Sequence, residues 1–264
     1  MARNYYPVRS IEHLIDTMAF NKFNKLHLHI TDSQAWPLEI PSLPDLARKG
    51  AYHPSLVYTP NDISSLQRYG ALRGVEVFLE IDMPGHTSSI YHAYPNLISA
   101  FNIQPGWTTY AAEPPSGTLK LNSSAVNGFL ETVLNDVLPR VKPFTSYFHT
   151  GGDEVNREAY SKDNTLNTTD VFVFKDLMDS FVNRNHKQLR AAGVTPIVWQ
   201  EMLLEWDLKL GKDVIVQAWQ GGSSVSMITR SGYKAIAGTS DSWVYEKIGF
   251  RQIGSSQTNL LTEQ

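Results

Sequence analysis

The feature that most constrains this chain is a regular alternation of short apolar runs with longer stretches of helical periodicity. Strand-like runs fall at about 24–31, 75–82, 145–150, 195–200, 213–219 and 233–238. Between them Ile11, Leu14, Ile15, Met18 and Ala19 form a helical stripe, for which Ser10 is the expected N-cap. Val126, Phe129, Leu130, Val133, Leu134, Val137 and Leu138 form a second, with Pro139 as its expected stop. A third helix is predicted over 170–191, ending near Gly193. Strands separated by helices imply parallel pairing through right-handed crossovers. No low-complexity segment or linker divides the chain.

Two α/β architectures satisfy this order, a doubly wound sheet and a (β/α)8 barrel, and the polar residues decide between them. In the run 75–82, Val75, Val77, Leu79 and Ile81 share one face, while Glu76, Phe78, Glu80 and Asp82 share the other. In the run 24–31, Leu26, Leu28 and Ile30 oppose His27 and His29. A doubly wound sheet carries helices on both faces and is apolar on both. A face of His, Glu and Asp suits the interior of a barrel near its mouth. Polar or glycine-rich clusters also end the strands, at Thr31-Asp32-Ser33, at 82–86 and at 151–154, where barrel enzymes place their chemistry. The expected fold is a TIM-type barrel.

Composition removes several classes of function. At 264 residues with 42% hydrophobic and 19% charged residues, the chain can bury a large core and is not disordered. A net charge of −3 without a basic run argues against nucleic acid as partner, and no apolar run approaches the roughly 18 residues of a membrane span. The absence of cysteine excludes thiol catalysis, disulfides and Cys-ligated zinc. Sequons at Asn122 and Asn167 weakly favour a secreted protein, although residues 1–6 contain no signal-peptide core.

Three groups of residues can carry chemistry. His149-Thr150-Gly151-Gly152-Asp153-Glu154 is the first. Neighbouring side chains of a strand point to opposite faces, so Asp153 and Glu154 reach one ligand only if the two glycines break the regular backbone. Otherwise the segment is a glycine turn with a solvated acidic pair. The second is His27-Leu28-His29 with Asp32. Two histidines on one strand face suit a metal ion, for which His86 and Asp82 would supply further ligands, or they pack as hydrogen-bonded core residues. The third is Trp199, Trp219 and Trp243 near late strand ends. Indole faces bind sugar rings, although core packing is the commoner fate of a single tryptophan.

Taken in order, residues 2–8, 24–41, Glu80-Ile-Asp-Met-Pro-Gly-His86, 147–156, Val198-Trp-Gln-Glu201 and Val216-Gln-Ala-Trp219 resemble family 20 glycoside hydrolases, the β-N-acetylhexosaminidases, most closely the fungal secreted type. The resemblance covers about 2–243 on successive strands. It implies removal of terminal β-linked N-acetylglucosamine or N-acetylgalactosamine from oligosaccharides, either chitin fragments or glycans. The implied mechanism is retaining, with the substrate's own acetamido oxygen as nucleophile. On this resemblance Glu154 is the general acid and base, with a raised pKa, and Asp153 orients the acetamido N–H. Asp32 and His86 form the pair behind Glu154, Arg3 binds sugar hydroxyls, and Trp199, Trp219 and Trp243 wall the sugar pocket. It implies no cofactor and no metal, a secretory or extracellular location, and a homodimer for the full-length enzyme.

The match departs from the family at both ends. The first barrel strand is expected to be cut short and the eighth to be missing, which gives a partial barrel over 1–243 and a divergent polar tail over 244–264. Where the family carries a Tyr-Leu-Asp element, this chain reads Trp243-Val244-Tyr245, so Tyr245 is the candidate for the tyrosine that holds the acetamido oxygen. Two other readings follow, a catalytically inactive sugar-binding fragment and a metal-dependent barrel hydrolase built on His27, His29, His86 and Asp153.

Overall fold

The computed structural model describes residues 3–166, 170–239 and 241. Helix α1 (Val8–Phe20) starts before its apolar stripe, because the proline ring of Pro7 presets the entry dihedral at φ −55°. The expected Ser10 cap is therefore corrected. Ser10 lies inside the first turn, and the Pro7 carbonyl accepts from the N–H groups of Ser10 and Ile11 at 2.8 and 3.3 Å. Strand β1 (Lys25–Thr31) follows, then α2 (Asp45–Gly50) and α3 (Pro60–Ala71). A reciprocal cap opens α3: the Asp62 N–H donates to Thr59 Oγ1 at 3.1 Å, and the Thr59 N–H to Asp62 Oδ2 at 2.8 Å.

Strand β2 (Glu76–Ile81) leads into a long excursion that carries the antiparallel pair β3 (Ile98–Ser99) and β4 (Thr118–Leu119). Helix α4 (Ser124–Val141) runs through Pro139 instead of stopping there. A proline this close to the C-terminus removes one N–H, while the added turn buries Val141 completely. The remaining elements are β5 (Tyr147–His149), α5 (Val171–Ala191), β6 (Thr195–Trp199), the short α6 (Glu201–Leu204), β7 (Ile215–Ala218), α7 (Gly222–Arg230) and β8 (Lys234–Ala237). Asp170 caps α5 by accepting the Phe172 N–H at 2.8 Å.

Among the described residues, six strands form one parallel sheet in the order β1-β2-β5-β6-β7-β8. The order never reverses along the chain, and that separates an arc of a (β/α) barrel from a doubly wound sheet, whose order turns back at a switch point. Residues 3–7 form no strand. Helix-facing side chains such as Leu28, Ile30, Val77, Leu79 and Val216 are at most 1% exposed. The opposite face holds His27, His29, Glu80 and His149. Among the described residues no helix is long and apolar enough to cross a membrane.

Helix α3 seats on β2 through Gly70, where a Cβ atom would stand 2.5 Å from the Val75 carbonyl oxygen and 2.9 Å from Val77 Cγ2. Alanine ordinarily stabilises a helix interior relative to glycine by about 1 kcal/mol. Here the clash reverses the sign, and Gly70→Ala is expected to cost about 1–3 kcal/mol. Urea unfolding checks this, and a raised midpoint would show that the helix does not sit so close.

Candidate active site

The backbone that ends β5 departs from strand geometry at the glycines. Gly151 and Gly152 take φ of +71° and +104°, and Glu154 itself takes +50°. The glycines are required by close approach as well as by conformation. A Cβ on Gly151 would fall 2.5 Å from Asp82 Cα, and one on Gly152 would fall 2.6 Å from Met202 Cγ. The Gly152 N–H donates to Asp82 Oδ1 at 2.8 Å, which locks the turn to the end of β2. The resulting backbone turns both Asp153 and Glu154 toward one histidine. His86 is also left-handed, at φ +52°.

His86 is the hub. Its Nδ1–H donates to Asp32 Oδ1 at 2.9 Å and lies 3.3 Å from Glu113 Oε1. Its Nε2 faces Glu154 Oε2 at 3.4 Å, Asp153 Oδ1 at 3.8 Å and Asp82 Oδ2 at 4.0 Å. Burial alone would lower the imidazole pKa. The charges of Asp153 and Asp82, with the hydrogen bonds to Asp32 and Glu113, raise it well above its ordinary 6.5. Burial pushes Asp32 up, but the His86 hydrogen bond and charge prevail and hold it at about 2. Burial first, then the charge of Asp153, push Asp82 well above the ordinary carboxylate range.

The sequence expectation for Glu154 meets a difference here. Instead of being raised, its pKa is lowered, first by the hydrogen bond from His86, which outweighs burial, and then by the charges of His86 and Arg3. The two opposite shifts favour the proton on His86 over Glu154. Arg3 reaches the same group from the N-terminal segment, with Nε 3.4 Å from Asp32 Oδ2 and Nη2 2.5 Å from Glu113 Oε2.

Beneath these groups a second carboxylate gathers three histidines. Glu80 Oε2 stands 2.6 Å from His27 Nε2 and 3.2 Å from His29 Nδ1, and Oε1 stands 3.2 Å from His149 Nδ1. Trp199, 7% exposed, donates its indole N–H to Glu80 Oε1 at 2.8 Å. The wholly buried Glu80 would be raised by desolvation, yet His149, His29 and His27 hold it well below its ordinary value. Among the described residues, four triads of acids and histidines bring potential ligand atoms within 4.8 Å of one another: His27–Glu80–His149, His29–Glu80–Asp82, Asp32–His86–Glu113 and Asp82–His86–Asp153. The quartet required by a metal hydrolase is divided between the Glu80 and His86 groups. The His27–Glu80 separation is also a hydrogen-bond distance, shorter than the about 3.4 Å between two ligands of a tetrahedral zinc.

An open cleft of about 640 Å³ lies beside the acidic pair, lined among others by Glu154, Asn156, Arg157, Glu201 and Trp219. Trp219 is half-buried at the end of β7. The structure therefore brings together Asp32, His86, Asp153, Glu154 and Arg3, sets Trp219 on the cleft, and places Trp199 below it in the barrel interior. Trp243 and Tyr245 lie outside the described residues, as does the boundary between 243 and 244. Sequence reasoning missed Glu113 and Glu201. Glu201 stood in the quoted Val-Trp-Gln-Glu run, whereas Glu113 sits in an aperiodic loop that offers no signal.

The glycosyl hydrolase family 20 catalytic domain matches residues 1–259. The chain belongs to this family. It is 47% identical over 251 residues to a beta-hexosaminidase of Arthroderma benhamiae, covering 92% of this chain and 41% of that protein. It is 32% identical over 266 residues to a chitooligosaccharidolytic beta-N-acetylglucosaminidase of Bombyx mori, covering 94% and 44%. Among solved structures, the chitobiase of Flavobacterium johnsoniae superposes with a TM-score of 0.75 at 26% identity over 89% of this chain and 36% of that one. The beta-N-acetylhexosaminidase of Bacteroides fragilis gives 0.72 at 27% identity, over 90% and 48%. The chain thus spans less than half the length of these relatives. Its parallel arc is part of a family 20 (β/α)8 barrel.

In this family 20 domain the linkage between charge and stability has a definite sign. The raised pKa of His86 contributes stability that is complete below 6.5 and lost as pH rises through its elevated value. The lowered pKa of Asp32 contributes stability present above 3.8 and lost as pH falls toward about 2. Nitrogen-detected NMR is expected to show His86 as an imidazolium at pH 7, with Asp32→Asn shifting its titration downward. A native His86 that titrates at or below 6.5 would refute the hub.

Proposed function

We propose that the full enzyme to which this domain belongs is an exo-β-N-acetylhexosaminidase, acting on oligosaccharides that end in β-linked N-acetylglucosamine or N-acetylgalactosamine. The observation that carries the reading is that two sequence-adjacent carboxylates, Asp153 and Glu154, both face one buried imidazole through a glycine-broken strand end. Asp153 and Glu154 stand 3.8 and 3.4 Å from the same imidazole nitrogen, so one carboxylate can orient a group while its neighbour carries a proton. They suit a reaction in which the substrate supplies the nucleophile.

The acetamido oxygen attacks the anomeric carbon as the bond to the leaving oxygen breaks. Asp153 accepts a hydrogen bond from the acetamido N–H and so turns the oxygen toward that carbon and balances the growing oxazolinium charge. Asp82, pushed well above the ordinary carboxylate range beside Asp153, favours its uncharged form and so limits the negative charge there. Glu154 protonates the leaving oxygen, and the proton reaches it from His86, 3.4 Å away, while Asp32 keeps the ring in place. Glu154 then takes a proton from the water that reopens the oxazolinium ring, leaving the anomeric configuration retained.

On this reading Trp219 forms a wall for the sugar and Trp199 the floor, with Trp243 and Tyr245 as further contacts. Arg3 takes a sugar hydroxyl. The enzyme is secreted, acts without metal or cofactor, on chitin fragments or glycans, and pairs as a homodimer at full length. Asn122 is exposed, as an acceptor for glycosylation must be.

A chromogenic β-N-acetylglucosaminide, compared with the glucoside that lacks the acetamido group, tests the mechanism. Turnover is expected only with the acetamido group, and Glu154→Gln is expected to lower kcat about 10²–10⁴-fold. Equal activity on the plain glucoside would overturn substrate assistance. Binding of N-acetylglucosamine without turnover by folded protein would make the domain a sugar-binding unit.

A further inference from the structure

The segment after β6 grips the segment after β7 through a side-chain clamp that the reaction described above does not use. Gln200 Oε1 accepts the backbone N–H groups of Trp219 and Gln220 at 2.9 and 3.2 Å, and Gln200 Nε2 donates to Gln220 Oε1 at 2.8 Å. Glu201 Oε1 accepts the Trp219 indole N–H at 2.8 Å and the Gln220 side-chain N–H at 3.1 Å. Two neighbouring residues at the start of α6 therefore hold both the backbone and the side chain of a tryptophan in the segment after β7. Glu201 is 3% exposed, and its Oε2 has no hydrogen-bond partner among the described residues. Glu201 and Trp219 line the same cleft as Glu154.

We propose that Glu201 is a positioning residue that fixes the indole of Trp219 as the wall of the sugar cleft. A half-buried indole with a free N–H rotates about its side-chain bonds; one anchored at that N–H by a buried acceptor presents a single face. The anchor also links Trp219 to the catalytic end of the barrel, because Glu201 follows β6, which neighbours β5 and its Asp153–Glu154 turn. Burial and the neighbouring acids favour the uncharged form and outweigh the opposite pull of the Trp219 hydrogen bond. Burial first, then the charge of Asp153, with a smaller push from Glu205, raise the carboxyl to about 8. A neutral acid leaves Oε1 as the acceptor of both N–H groups and adds no negative charge beside Asp153. Glutamine has the same shape, the same acceptor and no charge, and it should replace Glu201 where leucine cannot.

The proposal rests on the reading of the cleft as a sugar site, and two measurements keep the two apart. The first is hydrogen exchange of the Trp219 indole N–H in the ¹⁵N-labelled chain, assigned by its loss in Trp219→Phe. That proton is expected to exchange at least about tenfold more slowly than an exposed indole, to keep this protection in Glu201→Gln and to lose it in Glu201→Leu. The second is the affinity for N-acetylglucosamine, expected to fall about tenfold in Glu201→Leu and to stay within about twofold of the parent in Glu201→Gln. An unprotected Trp219 indole in the parent chain, which needs no variant to fold, overturns the proposal, as does undiminished protection in Glu201→Leu. Protection lost in Glu201→Leu while the parent binds no N-acetylglucosamine would remove the sugar reading and leave Glu201 as the anchor of Trp219.

Discussion

The arrangement at the barrel mouth depends on one buried cation. His86 stands within 4.0 Å of the carboxyl groups of Asp32, Asp82, Glu113, Asp153 and Glu154. Five acids gathered so closely would repel one another and hold several protons of their own. The imidazolium divides them into different states. Asp32 is driven low and Glu154 is lowered, whereas Asp82, against Asp153, keeps a proton. A pair of carboxyl groups with opposite shifts on either side of one histidine is the form in which acid chemistry operates near neutral pH.

That electrostatic division requires a backbone that delivers two consecutive carboxylates to one place. A regular strand cannot do so, and the left-handed Gly151, Gly152 and Glu154 can. The turn is seated on its neighbours because Gly151 has no Cβ to clash with Asp82 and Gly152 none to clash with Met202. The Glu80 group below serves a related purpose. With three histidines and the Trp199 N–H it fills the barrel interior with polar groups, so the strands that carry the site have a polar floor in place of a packed apolar layer.

Much of this was legible in the sequence. All six strands of the parallel sheet fall within two residues of the runs read from apolar patterning, whereas the short pair β3 and β4 was not anticipated, and His27, His29, Glu80 and Asp82 occupy the interior face that alternation assigns them. The glycines before Asp153 signalled the broken backbone. Ser10 and Pro139 misled for a common reason: helix ends answer to tertiary burial and to neighbouring prolines as well as to local propensity. Glu113 was illegible because a loop has no periodicity. The lowered Glu154 was illegible because its cause is His86, on a different strand end.

The sequence by itself determined the alternation of elements, the two faces of each strand and the presence of adjacent carboxylates after a pair of glycines. These follow from local dihedral preference and from a period-two or period-3.6 pattern, which need only neighbouring residues. Tertiary structure alone decided which acids meet His86, which one keeps its proton, and which residues hold Trp219 in the cleft. Those outcomes depend on burial and on distances of a few ångströms between groups far apart in the chain, such as Asp32 and His86, 54 residues apart, or Glu80 and Trp199, 119 apart. An ionisation energy is set by the charges that surround a group in space, and no local pattern records them.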